Sequence, residues 1–322
     1  MRRYFVKGIK NKPLGNSDAT AFTDSSRQLE ETTMKQRFTL GIALCLLAMH
    51  SAQAVDTLHW AGCGITKKAF MAELASAYQR KTGLEIVLEG GGAAKGIRRV
   101  GDKSVALGGT CRPKLPDHED EMRTRLNPVA WDALTVIVHP QNPVDNITLD
   151  DLKALLEGKI TNWSELGGND QPVDLLVRRG KYSGVGRTLR ELVFNDYDKA
   201  FVSEHLFKSS GPLEEAVEAN TNAIAVTGVS SSRKRLVKQL MLNGKAPNYD
   251  NIRDGSYLLY RPLYITFNPA HPQYRQVRKF VDFAHSRMGR DIIRRAGSVP
   301  YLDALNLVGK QRQQWIRARS IQ

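Results

Sequence analysis

The chain has 322 residues, 41% hydrophobic and 25% charged, with a net charge of +14. That is ordinary globular composition, enough for one or two domains with cores, and it leaves no place for a low-complexity chain or a repeat array. The positive balance suits anionic partners and says nothing about the fold.

In chain order, the N-terminal region divides at Met34. Lys35 and Arg37 precede an apolar run from Phe38 to Met49, which is followed by Ala52-Gln53-Ala54. A charged start, a short apolar stretch and a small-residue cleavage site make the layout of a secretory signal peptide, here 34–54, and the run is too short to span a bilayer. Residues 1–33 are then expected to be a non-native or disordered leader, with Met34 the true start. Cys45 lacks the small residues that a lipid-bearing cysteine needs before it. The mature chain is expected to be soluble and to begin near Val55. It keeps 39 basic and 29 acidic residues, a net charge of +10, and two cysteines, Cys63 and Cys111. An oxidising compartment permits one disulfide between two cysteines.

Thr57 to Ala61 suits a strand. From Thr66 to Thr82, Phe70, Leu74 and Tyr78 recur every four residues, and Gly83 stops the helix. Leu84 to Leu88 predicts a strand, Ala93 to Val100 a short helix, Val105 to Leu107 a strand, and Ala133 to Val138 a buried strand. A helix over Leu149 to Leu156 follows, then a strand over Val173 to Val177 and a helix over Ser183 to Phe194. Leu213 to Ala219 is helical, Ala223 to Thr227 and Leu258 to Phe267 are strand-like, and Val277 to Ala284 and Gly289 to Ala296 are helical. Strands alternating with helices predict an α/β fold with mostly parallel sheets. The last residues, 311–322, form a basic tail expected to be a solvated helix or coil, with a docking role for Trp315 as the lesser alternative.

Three segments share one design: AGCGIT (Ala61 to Thr66), EGGGAAKG (Glu89 to Gly96) and RRGKYSGVG (Arg178 to Gly186). Each follows a strand, carries glycines and opens a helix. Helix starts present free N–H groups with partial positive charge and bind anions. At the carboxyl edges of parallel strands, such loops lie where ligands bind. One such loop alone is more often plain turn geometry, but three in a secreted α/β chain, one bearing arginines, favour an anion site. No GKS or GKT follows the glycines, and GxGxxG with a downstream acid is missing, so nucleotide and dinucleotide folds are disfavoured. Nucleic-acid binding has charge in its favour but no aromatic interleaving or motif. The seven histidines are scattered, and nothing matches GxSxG or HExxH. The residues alone predict a secreted, two-lobed, anion-binding protein with no cofactor, no metal and no catalytic constellation.

From about Leu58 to Leu307 the sequence resembles the periplasmic phosphate-binding proteins of ABC transporters, within the type II solute-binding proteins. The resemblance is carried by AGCGITKKAFMAELASAYQRKTG, EGGGAAKGI, VIVHPQNPVDNITLDDLKALLEGKITNWSELGG, VRRGKYSGVGRTLRELVF, AIAVTGV, YRPLYI and KFVDFAHSRMGRDIIRRAG, in the same order. It implies two α/β lobes, each a mostly parallel sheet flanked by helices, joined by two crossover segments. Lobe 1 would hold 55–139 and 257–310, and lobe 2 would hold 140–256. It also implies a periplasmic monomer that captures phosphate or a related oxyanion and delivers it to a membrane permease.

Carried over residue by residue, Arg179 takes the place of the family's arginine, and Ser183 and Gly184 match the Ser-Gly that opens a helix. Gly64 and Thr66 lie in the first loop, and Gly92 in the second. This chain departs from the pattern at Ile65, Ala93 and Val185, where hydroxyl residues are usual, and at or near Cys111, where phosphate binders carry an aspartate. That carboxylate accepts the proton of hydrogen phosphate and repels sulfate, so its loss should weaken discrimination. Asp132 or Glu89 could substitute for it. Arg178 and Lys181 are expected on the solvated rim. Cys63 and Cys111, on two site loops of one lobe, are the disulfide candidate, with free thiols or a soft-metal site next. The departures and the cysteine pair also suit a second function, an envelope sensor or redox-linked binding protein that has left transport.

Overall fold

The computed structural model describes residues 57–319. The leader and the signal peptide expected over 1–54 lie outside the described residues.

Eight main strands form one curled sheet. They are β1 (Thr57–Gly62), β2 (Glu85–Gly90), β3 (Leu107–Thr110), β4 (Arg125–Val138), β5 (Asp174–Arg178), β6 (His205–Phe207), β7 (Ala223–Gly228) and β8 (Tyr260–Phe267). Their order is β2-β1-β3-β8-β4-β7-β5-β6, and two short strands, Lys238–Gln239 and Val299–Pro300, add to β4. At one end β2, β1 and β3 run parallel, and at the other end β7, β5 and β6 do. The central strands β8 and β4 are antiparallel to their neighbours. The α/β class with mostly parallel half-sheets is thus what the chain builds, with the antiparallel pairs confined to the middle.

β4 joins the halves. Its first part pairs with β8 as far as Ala133↔Tyr260, and its second part pairs with β7 from Leu134↔Gly228 onward. Residues 129–138 are all buried, as a strand covered on both faces must be. β4 starts eight residues before the predicted Ala133. Pro128 argues against a central strand, because it has no N–H for the ladder. Here it sits where the pairing with β8 shifts register between Leu263 and Tyr264, and a bulge tolerates the missing donor.

Helices cover both faces. The first, α1, runs over 64–82 as Gly64–Thr66, a wide π turn Lys67–Met71, and Ala72–Thr82. Its four-residue apolar stripe is buried: Phe70 and Leu74 are fully enclosed, and Tyr78 packs edge-on to Phe280 at 5.2 Å between ring centres. Each such side chain contributes roughly 1.5–3 kcal/mol of burial, which fixes the helix to the sheet whatever its intrinsic propensity. Next come α2 (Ala93–Gly101), α3 (Leu149–Leu156) and α4, which covers Gly184–Leu189 and a second π turn Arg190–Phe194. The series ends with α5 (Ser210–Ala219), α6 (Tyr274–His285), α7 (Arg287–Arg295) and α8 (Asn306–Arg319).

The C-terminal tail departs from expectation. Its residues 311–319 are part of α8, which is docked rather than wholly solvated. Leu307 and Gln311 are buried, and Trp315 lines a small cavity with Thr188, Tyr260 and Pro262. No helix among the described residues is long and apolar enough to cross a membrane.

Candidate functional site

The three glycine-bearing loops end at one cavity of about 520 Å³. Each loop follows a parallel strand and opens a helix, so the sheet delivers three helix starts to one place. A larger groove of about 790 Å³ lies between α1 and α7 (Ala72, Ser76, Arg80, Met288, Arg295), away from the three glycine-bearing loops.

In the first loop Cys63 caps α1. Its sulfur accepts from the Thr66 backbone N–H at 3.4 Å, and its own N–H donates to the Gly109 carbonyl at 3.0 Å. In the second loop Gly91 and Gly92 take φ of 148° and 92°, a region closed to most side chains. Gly92 caps α2 with no side chain at all, so the first N–H groups of α2 keep no side-chain partner. In the third loop the Ser183 hydroxyl accepts from the Gly186 N–H at 2.9 Å, which leaves its own proton to donate.

Of the residues expected at the site, Gly64, Ile65, Gly92, Ala93, Cys111, Arg179, Ser183, Gly184 and Val185 all line the cavity. Thr66 does not. Its hydroxyl donates to the Cys63 carbonyl at 2.9 Å and is fully buried against β3, so it braces the first turn instead of facing the cleft. The two arginines exchange expected places in part. Arg179 lines the cavity as an exposed side chain, while Arg178, expected at the rim, is half-buried. Arg178 donates from Nη1 to Ser210 Oγ at 3.0 Å and from Nη2 to the Lys208 carbonyl at 2.6 Å, and its Nε has no partner. The alternation of β5 turns one of two adjacent arginines inward, and sequence alone does not say which. Lys181 stays away from the cavity, paired with Asp198.

A fourth loop was missed. Lys208, Ser209, Ser210 and Gly211 follow β6 and line the same cavity. The predicted helix began at Leu213, but α5 begins at Ser210, and Ser209 makes no capping bond with its side chain. The signal was present as Ser-Ser-Gly-Pro, since proline belongs in a first helical turn. Lys68 and Arg235 were missed too. Both bind Glu214, at 3.1 and 3.4 Å, and Lys68 also donates to Ser231 at 2.9 Å. Glu214 is fully buried beneath them and accepts from the Thr227 hydroxyl at 2.7 Å. Lys68 comes from the π turn of α1 and Arg235 from well beyond β7, so only the fold brings them together.

Neither carboxylate considered as a replacement reaches the site, and no carboxylate lines the cavity. Glu89 is exposed and paired with Lys95 and Arg99. Asp132 is buried in β4, where its Oδ1 accepts from the Ser230 N–H at 3.1 Å and its Oδ2 has no hydrogen-bond partner. Burial pushes the Asp132 carboxyl above its ordinary range, and Arg261 opposes that. Arg261 itself is buried behind Cys111 and donates to the carbonyls of Cys111 at 3.4 Å and Gly184 at 3.2 Å. It ties the loop after β3 to the start of α4.

The expected disulfide is not formed: Cys63 and Cys111 are buried free thiols, hydrogen-bonded to each other. The pair shares its first proton loss unequally. The hydrogen bond from Cys63, with Arg261 and Arg178 nearby, brings Cys111 down to about 6, while burial pushes Cys63 well up. Among the described residues no group of three or more His, Cys, Asp or Glu could hold a metal.

The thiol sets a pH dependence. Above about 6 Cys111 adds a negative charge to the cavity wall. Affinity for sulfate, which does not titrate in this range, should therefore fall several-fold as pH rises from about 5 to about 8. Titration calorimetry checks this, and Cys111→Ala should flatten the profile.

The family model for the PBP superfamily domain matches residues 48–287. The phosphate-binding protein PstS of Borreliella burgdorferi is 25% identical over 245 residues, covering 73% of this chain and 87% of its own. Protein SphX of Synechococcus elongatus is 26% identical over 290 residues, covering 80% and 82%. Among solved structures, a phosphate ABC transporter substrate-binding protein from Clostridium perfringens with bound phosphate has a TM-score of 0.67 at 26% identity, covering 76% of this chain and 99% of that one. An ABC-type phosphate transport receptor from Vibrio cholerae has a TM-score of 0.58 at 25% identity, covering 76% and 100%.

Proposed function

Because the chain belongs to the PBP superfamily, we propose that it is a periplasmic solute-binding protein that captures phosphate or a related oxyanion in its cleft and hands it to an ABC importer. The observation that carries this reading is the convergence of the loops at Cys63, Gly92 and Ser183 on one cavity that carries arginines and no carboxylate. Buried N–H groups at helix starts and a guanidinium replace the water shell of a small anion, and a dry, closed cleft strengthens each contact.

Arg178 supplies the inward charge, Arg179 covers the mouth, and Ser183 donates its free proton. Gly64, Ile65, Ala93, Gly184 and Val185 contribute backbone. With hydroxyls lost at Ile65, Ala93 and Val185, the backbone carries a larger share of the grip. With no carboxylate, rejection of sulfate falls to the Cys111 thiolate alone. Two lobes, expected as 55–139 with 257–310 and 140–256, would hinge where β4 changes partner at Ala133 and Leu134, which moves the first boundary from 139 back to about 133. The signal peptide over 34–54 would bring the chain to the periplasm, where it would act as a monomer.

Purified protein should melt at higher temperature with the right anion. A ligand at 100 times its Kd adds about 2.7 kcal/mol of stability. If millimolar phosphate, sulfate, arsenate and molybdate all leave the Tm unchanged, the reading fails.

One observation favours a second reading, an envelope sensor or redox-linked binding protein. It is the pair of buried free thiols in the cavity wall. Thiol titration with and without reductant separates the two: an inert pair supports transport, and a pair that cycles supports sensing.

A further inference from the structure

The cavity is larger and more cationic than one tetrahedral oxyanion requires. Such an ion fills the space of about two or three waters at ~30 Å³ each. The cavity of about 520 Å³ falls instead in the range of sites for small organic ligands, roughly 300–1,000 Å³. Lys68, Arg178, Arg179, Lys208 and Arg235 line it, with no carboxylate and the Cys111 thiol as its most acidic group. Glu214 below, with Glu215 and Glu218 outside, neutralises Lys68 and Arg235 in part. Arg179 and Lys208 have no ion-pair partner among the described residues. Cationic charge left unpaired on two different loops is repulsive unless anionic charge comes between.

The hydrogen-bond donors also fall into two sets. One holds the starts of α2 and α4 with Ser183. The other holds Lys208, Ser209 and Ser231 beside Arg235, on the loop after β6 and the segment after β7. Ser209 makes no cap bond, so its hydroxyl is available to a ligand. Arg178 is anchored to Ser210 and Lys208, on the loop of the second set, and carries a buried Nε with no partner.

We propose that the cavity is built for an anion with two linked anionic groups, a diphosphate, one group held at Gly92–Ala93, Ser183–Gly184 and Arg179 and the other at Lys208, Ser209 and Arg235. The proposal rests on the oxyanion-binding reading above and names its ligand class. The second set replaces a solvated surface by a wall that neutralises the additional charge.

Titration calorimetry on the purified chain, with inorganic diphosphate and with orthophosphate at one fixed salt concentration, tests it. Diphosphate should bind one-to-one and at least about ten-fold tighter, a difference of about 1.4 kcal/mol. The double variant Lys208→Ala, Ser209→Ala should remove that advantage and leave orthophosphate within about two-fold. Lys245→Ala, an exposed cation outside the cavity, should change neither, which separates site recognition from general charge attraction. Equal or tighter binding of orthophosphate by the parent chain overturns the proposal, as does a double variant that weakens both anions alike. If neither anion binds, this proposal is overturned, and the melting screen with sulfate, arsenate and molybdate decides separately whether the oxyanion reading stands.

Discussion

Gly184→Ala is expected to abolish anion binding at concentrations that saturate the parent chain, and Cys111→Ala in the same chain is expected to restore it. A Cβ at Gly184 would lie 2.2 Å from the Cys111 sulfur, far inside van der Waals contact, whereas its next neighbours, Ala93 Cβ at 3.4 Å and Cys111 Cβ at 3.7 Å, are ordinary. Cys111 is buried and Arg261 holds its carbonyl, so the sulfur has little room to yield. Either the loop after β3 or the start of α4 must move, and both line the cavity. Overpacking of this kind costs about 1–3 kcal/mol, and a helix start displaced by a fraction of an ångström no longer aims its N–H groups. The restoration matters more than the loss, since a non-additive pair shows that the two positions are energetically coupled, as the close approach requires. Binding by calorimetry and stability by urea unfolding would be measured on both single variants and the double. Gly184→Ala with unchanged affinity would contradict the geometry.

The second large effect belongs to Arg178. Arg178→Ala should weaken oxyanion binding by about 30–150-fold, or about 2–3 kcal/mol, the worth of a charge-assisted bond in a partly dry site. The change removes a half-buried charge and also frees the Ser210 hydroxyl and the Lys208 carbonyl that it holds. Arg179→Ala should cost only about ten-fold, because an exposed cation is screened by water and salt. High salt should therefore shrink the Arg179 effect much more than the Arg178 effect. Calorimetry at two salt concentrations reads both, with the melt of the free variants as a check on folding. The opposite order, with Arg179 dominant at high salt, would return the inward role to the residue that the sequence resemblance favours.

That exchange marks where sequence stops. The parallel strands and the loops at Cys63, Gly92 and Ser183 were legible because strand periodicity and glycine spacing are local. α3 runs over Leu149–Leu156, as the spacing predicts. The inward turn of Arg178, rather than Arg179, depends on the register of β5 with β7 and β6, which no local pattern encodes. Lys68, Lys208 and Arg235 meet only because α1, α5 and the segment after β7 share one end of the sheet. Thr66 was placed at the site from its neighbours in sequence, but one turn of helix rotates it toward β3. Pro128 hid the first half of β4, since its bulge with β8 is a property of the pair and not of either strand.

The most direct measurement of the central claim is a crystal structure grown with arsenate, whose anomalous signal locates the anion without ambiguity. One strong peak is expected within hydrogen-bond reach of the Ala93 and Gly184 N–H groups and the Arg178 guanidinium. A peak outside that cavity, or none at an arsenate concentration that raises the Tm, would contradict it.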